Sequence, residues 1–373
     1  MQLCHNYKPP FLSVAAQYAS LFDGTPYKVI TVYLKGSFSE TVIENSKSSE
    51  VIFLDLRKND LRGLKRKAIR AIEDLHARYQ FQLAIAHRYK AIYIATHVEQ
   101  LFVVGVHHTD KVYKRWTRRW YVMSRQRQLV LLGVSKAIRE DLRTWLPKYP
   151  RDRIVYLYNS LNYDKIRREQ LPRGESRLHL SLPQEAFIFG CVGRLHPAKD
   201  HKTLIKGFAR AAPHMPKAVL AIVGGGPTKE ALEQLIAELH LQKRVFLPGM
   251  VRDAYRFFKA FDGFVLPSKR EGLPLALLEA FAAHNICAAS RCNGSSEAIE
   301  GVGFSFEVGD DTGLSLILRR IYEMQSVEKS EMIVKMESKV KNNFTEESVR
   351  QSFWSLPMMR RFRKNMKSVG TRD

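Results

Sequence analysis

The sequence predicts an α/β protein made of two doubly wound parallel-sheet domains facing a central cleft. Three observations lead there. Short apolar runs alternate with amphipathic ones through the first half of the chain, the alternation starts afresh in the second half, and 373 residues exceed what a single core usually serves.

In the first half, "YKVITVYL" and "EVIFLDL" read as strands and "LKRKAIRAIEDLHARY" as a helix. "FQLAIAHR" and "LFVVGVHH" read as strands again, and "LVLLGVSKAIREDLRTWL" as a strand running into a helix. The stretch "LPKYPRDRIVYLYNSLNYDKI" carries two prolines and one short strand, which places a domain boundary near residues 150–165. Beyond it, "AFIFGCVGRL", "AVLAIVGGG", "RVFLPGMV" and "GFVLPS" are expected strands. "HKTLIKGFARAAPH", "TKEALEQLIAELHL" and "PLALLEAFAAH" are the helices between and after them. The expected division is residues 1–160, residues 161–345, and a C-terminal helix and basic tail over 346–373, ending in "MMRRFRKNMKSVGTRD".

A hydrophobic fraction of 45% is that of an ordinary globular protein. No window approaches the roughly 18 to 20 apolar residues that cross a bilayer, and "MQLCHNYKPPF" lacks the apolar core of a secretory signal, so a cytoplasmic location is expected. Cys4, Cys191, Cys287 and Cys292 match no zinc spacing and suit a reducing compartment. The charge stands out: 60 Lys and Arg against 37 Asp and Glu give +23, with 27 basic and 13 acidic residues in positions 1–160. Such an excess calls for an anionic partner, whether nucleic acid, membrane surface or phosphorylated substrate.

"GGGPTK" is not a Walker loop, and neither a G-x-G-x-x-G run nor a D-x-D triplet occurs, which weakens NTPase, dehydrogenase and metal-diphosphate readings. No metal and no cofactor are expected. In "CVGRLHPAKD", Arg194 and Lys199 follow a strand, at the sheet edge where α/β ligands bind. In "EGLPLALLEA", Gly272, Leu273, Leu275 and Ala276 offer backbone N–H groups at a helix start. Together these suit a diphosphate held without a metal. Glu271 and Glu279 flank that helix start, but eight residues of helix rise about 12 Å, so they are not a contacting acid pair. Ionised carboxylates only accept hydrogen bonds and therefore suit hydroxyls: Glu271 those of a transferred sugar, Glu279 those of a ribose.

These motifs in this order resemble the GT-B glycosyltransferases, specifically the large retaining family that includes bacterial lipopolysaccharide core transferases. The resemblance rests on the Glu-x7-Glu pair of Glu271 and Glu279, "GRLHPAKD", "GGGP", "GVSKAIREDL", "YNSLN" and "SRCNGSSEAIEGVGFSFEVGD". It implies two Rossmann-like domains, the first binding acceptor and the second nucleotide sugar. It also implies that Arg194 and Lys199 hold the donor diphosphate, with Glu271 working at the transferred sugar. A catalytic histidine is implied after a strand of the first domain; "VVGVHHTDK" offers His107 and His108, and the strand-then-His-Thr pattern favours His108. The implied reaction is retaining transfer from a nucleotide sugar, by family habit linked to uridine diphosphate, to a lipid-linked, phosphorylated oligosaccharide such as a lipopolysaccharide core.

The chain departs from the family in two loops. The first strand-to-helix loop, usually glycine-rich, reads "CHNYKPPF", so His5, Tyr7 or Lys8 are candidates there for acceptor or phosphate, alongside His107. "AHNICAAS" has Asn285 where relatives commonly place Gly.

The segment of residues 111–127, "KVYKRWTRRWYVMSRQR", holds seven basic residues, and Val112, Trp116, Trp120 and Met123 recur at helical spacing. With Arg115 and Arg119 beside the tryptophans, this suits an anionic inner-membrane surface on its cytoplasmic face, or a helix packed on its own domain with a solvated basic side. Two other functions remain at this point. One is a soluble transferase making a storage glycan or small glycoside; the other is a nucleic-acid-binding protein using the +23 charge, although no helix-turn-helix, zinc or RNA-recognition signature accompanies it.

Overall fold

In the computed structural model, which describes residues 1–8, 11–360 and 362, the chain divides into two compact units. One is Met1–Ser160 with the segment from Glu346 onward, and the other is Leu161–Thr345. The basic tail from residue 363, and Arg361, lie outside the described residues.

The first unit is a seven-stranded sheet: β1 Gln2–Cys4, β2 Ile30–Tyr33, β3 Glu50–Phe53, β4 Leu83–His87, β5 Phe102–His107, β6 Leu129–Gly133 and β7 Ile154–Tyr156. Its order is β3-β2-β1-β4-β5-β6-β7 and every pair is parallel. Strands covered on both faces read as unbroken apolar runs, and Leu129–Gly133 is buried throughout. The order reverses between β1 and β4, which opens a crevice where neighbouring crossovers leave in opposite directions. The helix Glu346–Ser355 returns to this unit. Its Trp354 Nε1 donates to the carbonyl of Leu21 at 2.8 Å, and its Phe353 and Trp354 rings pack on Phe22.

The second unit has six parallel strands: β8 Phe187–Val192, β9 Ala218–Val223, β10 Val245–Gly249, β11 Gly263–Leu266, β12 Ile286–Ser290 and β13 Phe304–Phe306. Their order is β10-β9-β8-β11-β12-β13, with its reversal between β8 and β11.

Strands β1, β12 and β13 lack a clear sequence signal. Three residues cannot display a period, and β1 is defined by its neighbours: Gln2 is in register with Thr31 on one side and Ile85 on the other. Strand β12 is buried along its whole length, and such a run is indistinguishable by pattern from the end of the preceding helix. In the turn before it, His284 takes the left-handed backbone (φ 64°), while the buried Asn285 amide donates to the carbonyls of Phe258 and Phe261 at 3.2 and 2.8 Å.

Arg177 is an unforeseen core residue. Its side chain is fully buried; Nε donates to the carbonyl of Ala260 at 3.0 Å, Nη1 to that of Ala186 at 2.9 Å, and Nη2 pairs with Asp262 at 2.8 Å. Asp262 also accepts the amide of Ile188 at 2.7 Å, so the pair ties β8 to the segment entering β11. Removing one member of a buried pair strands the other and its carbonyl partners. Arg177→Ala is expected to lower unfolding free energy by roughly 3 kcal/mol or more, measured by urea denaturation.

Candidate active site

In the second unit the strand exits are built by loops that touch one another. The segment Gly193–Leu195 follows β8 and Gly224–Gly226 follows β9, and they lie so close that side chains cannot intervene. A Cβ on Gly224 would sit 1.9 Å from the Gly193 carbonyl oxygen, and one on Gly226 would sit 2.3 Å from that of Leu195. Both glycines also have φ near 155°. Backbone bonds close the seam, from Gly193 N to Val223 O and from Leu195 N to Gly225 O, both 3.0 Å. "GRL" and "GGGP" are therefore two halves of one contact.

The loop after β11 is fastened to the same seam. Lys269 N donates to the carbonyl of Ala198 at 2.8 Å, and its ammonium lies 3.4 Å from the buried Asp200. This brings Lys199 and Glu271 together: Nζ and Oε1 are 2.5 Å apart, with Ser268 Oγ donating to the same oxygen at 2.6 Å. Ser268 is itself held, its carbonyl accepting from Ser290 Oγ at 2.5 Å. Lys199 is thus already paired, whereas Arg194 is exposed and has no ion-pair partner among the described residues.

The helix Leu275–Ala282 begins just beyond, after Pro274, which provides no side-chain cap. Leu275 and Ala276 are its first two residues, so their amides have no intrahelical acceptor. Gly272 and Leu273 lie in the loop before it, pressed against Gly294, where a Cβ would meet the Gly272 carbonyl oxygen at 1.9 Å. Glu279 stands one turn inside, half-buried, with no hydrogen-bond or ion-pair partner among the described residues. Burial raises its carboxyl from the ordinary 4.5 to about 7.

The first unit gathers histidines at the exits of three adjacent strands: His5 after β1, His87 ending β4 and His108 after β5. His108 Nε2 is 3.2 Å from His87 Nδ1, and the rings stack with centroids 5.4 Å apart. His87 is buried, and its Nε2 has no hydrogen-bond partner among the described residues. Burial lowers His87 to about 3. Burial, followed by the charges of Lys90, Arg88 and Lys35, lowers His5 to about 4. His108 lies well below the usual range, through burial and then the neighbouring His87, Arg88 and His107. At neutral pH these imidazoles are uncharged, and one of the facing nitrogens of His87 and His108 carries the shared proton.

His107 is a core residue rather than an acceptor contact. It is 1% exposed; Nδ1 is 2.9 Å from the Gly105 carbonyl and Nε2 is 2.9 Å from the Tyr113 hydroxyl. Tyr7 is largely structural too: its ring packs on Tyr33 and Phe53, and its hydroxyl donates to the Ser37 carbonyl at 3.1 Å. Lys8 is exposed. His87 was missed from sequence, although "AIAHR" ends a strand in histidine much as "VGVHH" does.

The basic segment forms the helix Trp116–Ser124, with Trp116 and Trp120 69% and 71% exposed. The expected stripe divides: the tryptophans face solvent, whereas Val112 and Met123 are half-buried. Arg115 is exposed, and the half-buried Arg119 lies over the Trp145 ring. No described helix is long and apolar enough to cross a membrane.

Residues 173–340 match the family described as glycosyl transferases group 1. The lipopolysaccharide core biosynthesis glycosyltransferase LpsD of Rhizobium meliloti is 36% identical over 148 residues, 39% of this chain and 42% of that protein. The UDP-Gal:alpha-D-GlcNAc-diphosphoundecaprenol alpha-1,3-galactosyltransferase of Escherichia coli is 35% identical over 150 residues, 38% of each chain. These matches therefore span about two fifths of the curated relatives' length. Among solved structures, a glycosyltransferase from Rickettsia africae aligns with a TM-score of 0.79 at 15% identity, covering 100% of this chain and 98% of its own. Anabaena Alr3699/HepE in complex with UDP aligns at 0.78 and 16% identity, over 94% and 97% of the two chains. The fold is GT-B.

Glu279 provides a pH test. Its folded-state value exceeds the ordinary one, so its contribution to stability is greatest below about pH 4.5 and is lost as pH rises towards about 7. The full loss is about 3 kcal/mol. Glu279→Gln is expected to be more stable than wild type at pH 8, by up to that amount, with the difference vanishing near about pH 4. Urea unfolding at the two pH values measures it.

Proposed function

We propose that this protein is a retaining, metal-independent glycosyltransferase that moves a sugar from a nucleotide diphosphate, uridine-linked, to a lipid-linked anionic glycan of lipopolysaccharide-core type. The observation that carries the reading is the Lys199–Glu271 contact, set beside exposed Arg194 and the open first-turn amides of Leu275 and Ala276. Cations, amides and a hydroxyl-accepting carboxylate are what a sugar diphosphate needs. The match to group 1 transferases supports it, as do relatives whose names specify diphospho-undecaprenol acceptors.

The chemistry follows from the side chains. As the sugar–phosphate bond breaks, negative charge grows on the diphosphate; Arg194, Lys199 and the helix start stabilise it more in the transition state than in the ground state. Glu271 accepts hydroxyl hydrogen bonds from the transferred sugar, with Ser268 fixing its orientation. Glu279 accepts from the ribose, a bond for a carboxylate that has no other partner among the described residues. The departing phosphate oxygen takes the acceptor's proton, leaving His108 to position the donor as a neutral hydrogen-bonding group. Trp116 and Trp120, with Arg115 and Arg119, hold the enzyme on the cytoplasmic face of the inner membrane, where its acceptor is anchored.

A thermal-shift panel of nucleoside diphosphates and sugar nucleotides tests the donor site, because a ligand at a hundred times its dissociation constant stabilises by about 2.7 kcal/mol. UDP and a UDP-sugar are expected to raise the midpoint, and Arg194→Ala to abolish most of the rise; no stabilisation by any nucleotide would sink the reading. Glu271→Ala and Lys199→Ala are each expected to lower transfer at least about a hundredfold with little change in fold, read by donor turnover and circular dichroism. Trp116→Ser with Trp120→Ser should release the protein from phosphatidylglycerol vesicles in a flotation assay, and unchanged flotation would reject the anchor.

A further inference from the structure

Beyond the histidines, the exits of β3, β4 and β5 in the first unit bring together cations that no carboxylate balances. Lys65 follows β3, Arg88 and Lys90 follow β4, and Arg118 follows β5. Among the described residues none of the four forms an ion pair, although carboxylates elsewhere in this unit do, as Asp60 does with Lys67 at 3.6 Å. Lys90 and Arg118 act on Lys65: burial, Lys90 and Arg118, in that order, hold its ammonium below the ordinary lysine range. Arg88 and Lys90 both act on the neighbouring His5. Like charges gathered without a counter-ion are a cost that folding alone does not explain.

Two of these cations are already oriented. Lys65 Nζ donates to the Gly63 carbonyl at 2.7 Å and lies 4.3 Å from the centroid of the Tyr93 ring. Arg118 donates one N–H to the Val112 carbonyl at 3.0 Å and lies over the Tyr89 ring at 4.6 Å. Tyr89 and Tyr93 are themselves neighbours, with centroids 6.4 Å apart. The backbone is unusual at the same places, since Lys65 and Arg88 both have positive φ, 54° and 72°, a region side-chain-bearing residues seldom occupy. Cations fixed in advance lose less freedom when an anion arrives, and a guanidinium with open N–H groups matches two oxygens of one phosphate.

We infer that Lys65, Lys90 and Arg118 bind a phosphomonoester carried by the sugar acceptor. The inference rests on the proposal that this unit receives the acceptor. It adds that a phosphate on the acceptor is recognised directly, by residues separate from the donor site and from the exposed tryptophans. A phosphodiester headgroup of the bilayer is the other source of the same chemistry, and the experiment separates the two.

Binding of glucose 6-phosphate to the full-length protein is measured by calorimetry, with glucose as the uncharged control and UDP as the donor-site control. Wild type is expected to prefer glucose 6-phosphate to glucose. Lys65→Gln with Lys90→Gln should weaken that binding by at least about thirtyfold, from two lost charge-assisted contacts. It should leave UDP affinity and vesicle flotation unchanged, and Lys65→Arg with Lys90→Arg should restore sugar-phosphate binding. Arg194→Gln should do the reverse, weakening UDP alone. Equal affinity for glucose and its phosphate in wild type, unaltered phosphate binding in the Lys65/Lys90 glutamine variant, or its loss only in Arg194→Gln would each overturn the inference. So would a glutamine variant that loses flotation while keeping sugar-phosphate affinity, which would assign the cations to lipid. If UDP binds no form while the sugar-phosphate effect persists, the donor assignment falls and this site stands.

Discussion

A parallel sheet can be assembled only if every strand runs the same way, and that constraint places all strand exits of each unit along one edge. The consequence is crowding. In the second unit the loops leaving β8 and β9 approach until backbone touches backbone, and only glycine tolerates the 1.9 and 2.3 Å approaches a Cβ would make at positions 224 and 226. The loop leaving β11 is then drawn in through Lys269, which sets Glu271 against Lys199. The ion pair results from backbone docking; a shift of the glycine seam would separate its partners.

The two exit edges manage charge in opposite ways. In the second unit the acidic groups have distinct fates within a short stretch of chain. Glu271 meets a lysine and a serine hydroxyl, while Glu279 meets no partner among the described residues and has its carboxyl raised to about 7. A partnered carboxylate is ready to accept hydroxyls, and an unpartnered half-buried one gains most from a ligand that supplies them. In the first unit the edge is cationic and its histidines are kept neutral by burial, so they act as dipoles and hydrogen-bond groups among fixed positive charges.

Placement also separates residues that composition treats alike. His107 and His108 are adjacent, yet one is locked between Gly105 and Tyr113 and the other faces His87, because successive residues at a strand end point to opposite sides. Trp116 and Trp120 share a period with Val112 and Met123, but it is the side presented to solvent, not the period, that makes them an exposed pair.

By itself the sequence determined the α/β class, the duplication of the strand–helix pattern, and the segments that bear the candidate site, since "GRLHPAKD", "GGGP" and "EGLPLALLEA" carry their own local chemistry of glycine, cation and helix start. Periodicity is a local property and was legible wherever a run was long enough to show it. Only the tertiary structure decided the rest: that β1 is a strand, that Lys199 is paired with Glu271 across 72 residues, that Glu279 has no partner among the described residues, that Arg177 is buried, and that Lys65, Lys90 and Arg118 share one place. Strand order sets such contacts, and strand order depends on which apolar faces cover one another, an energy summed over the whole chain that no short window contains.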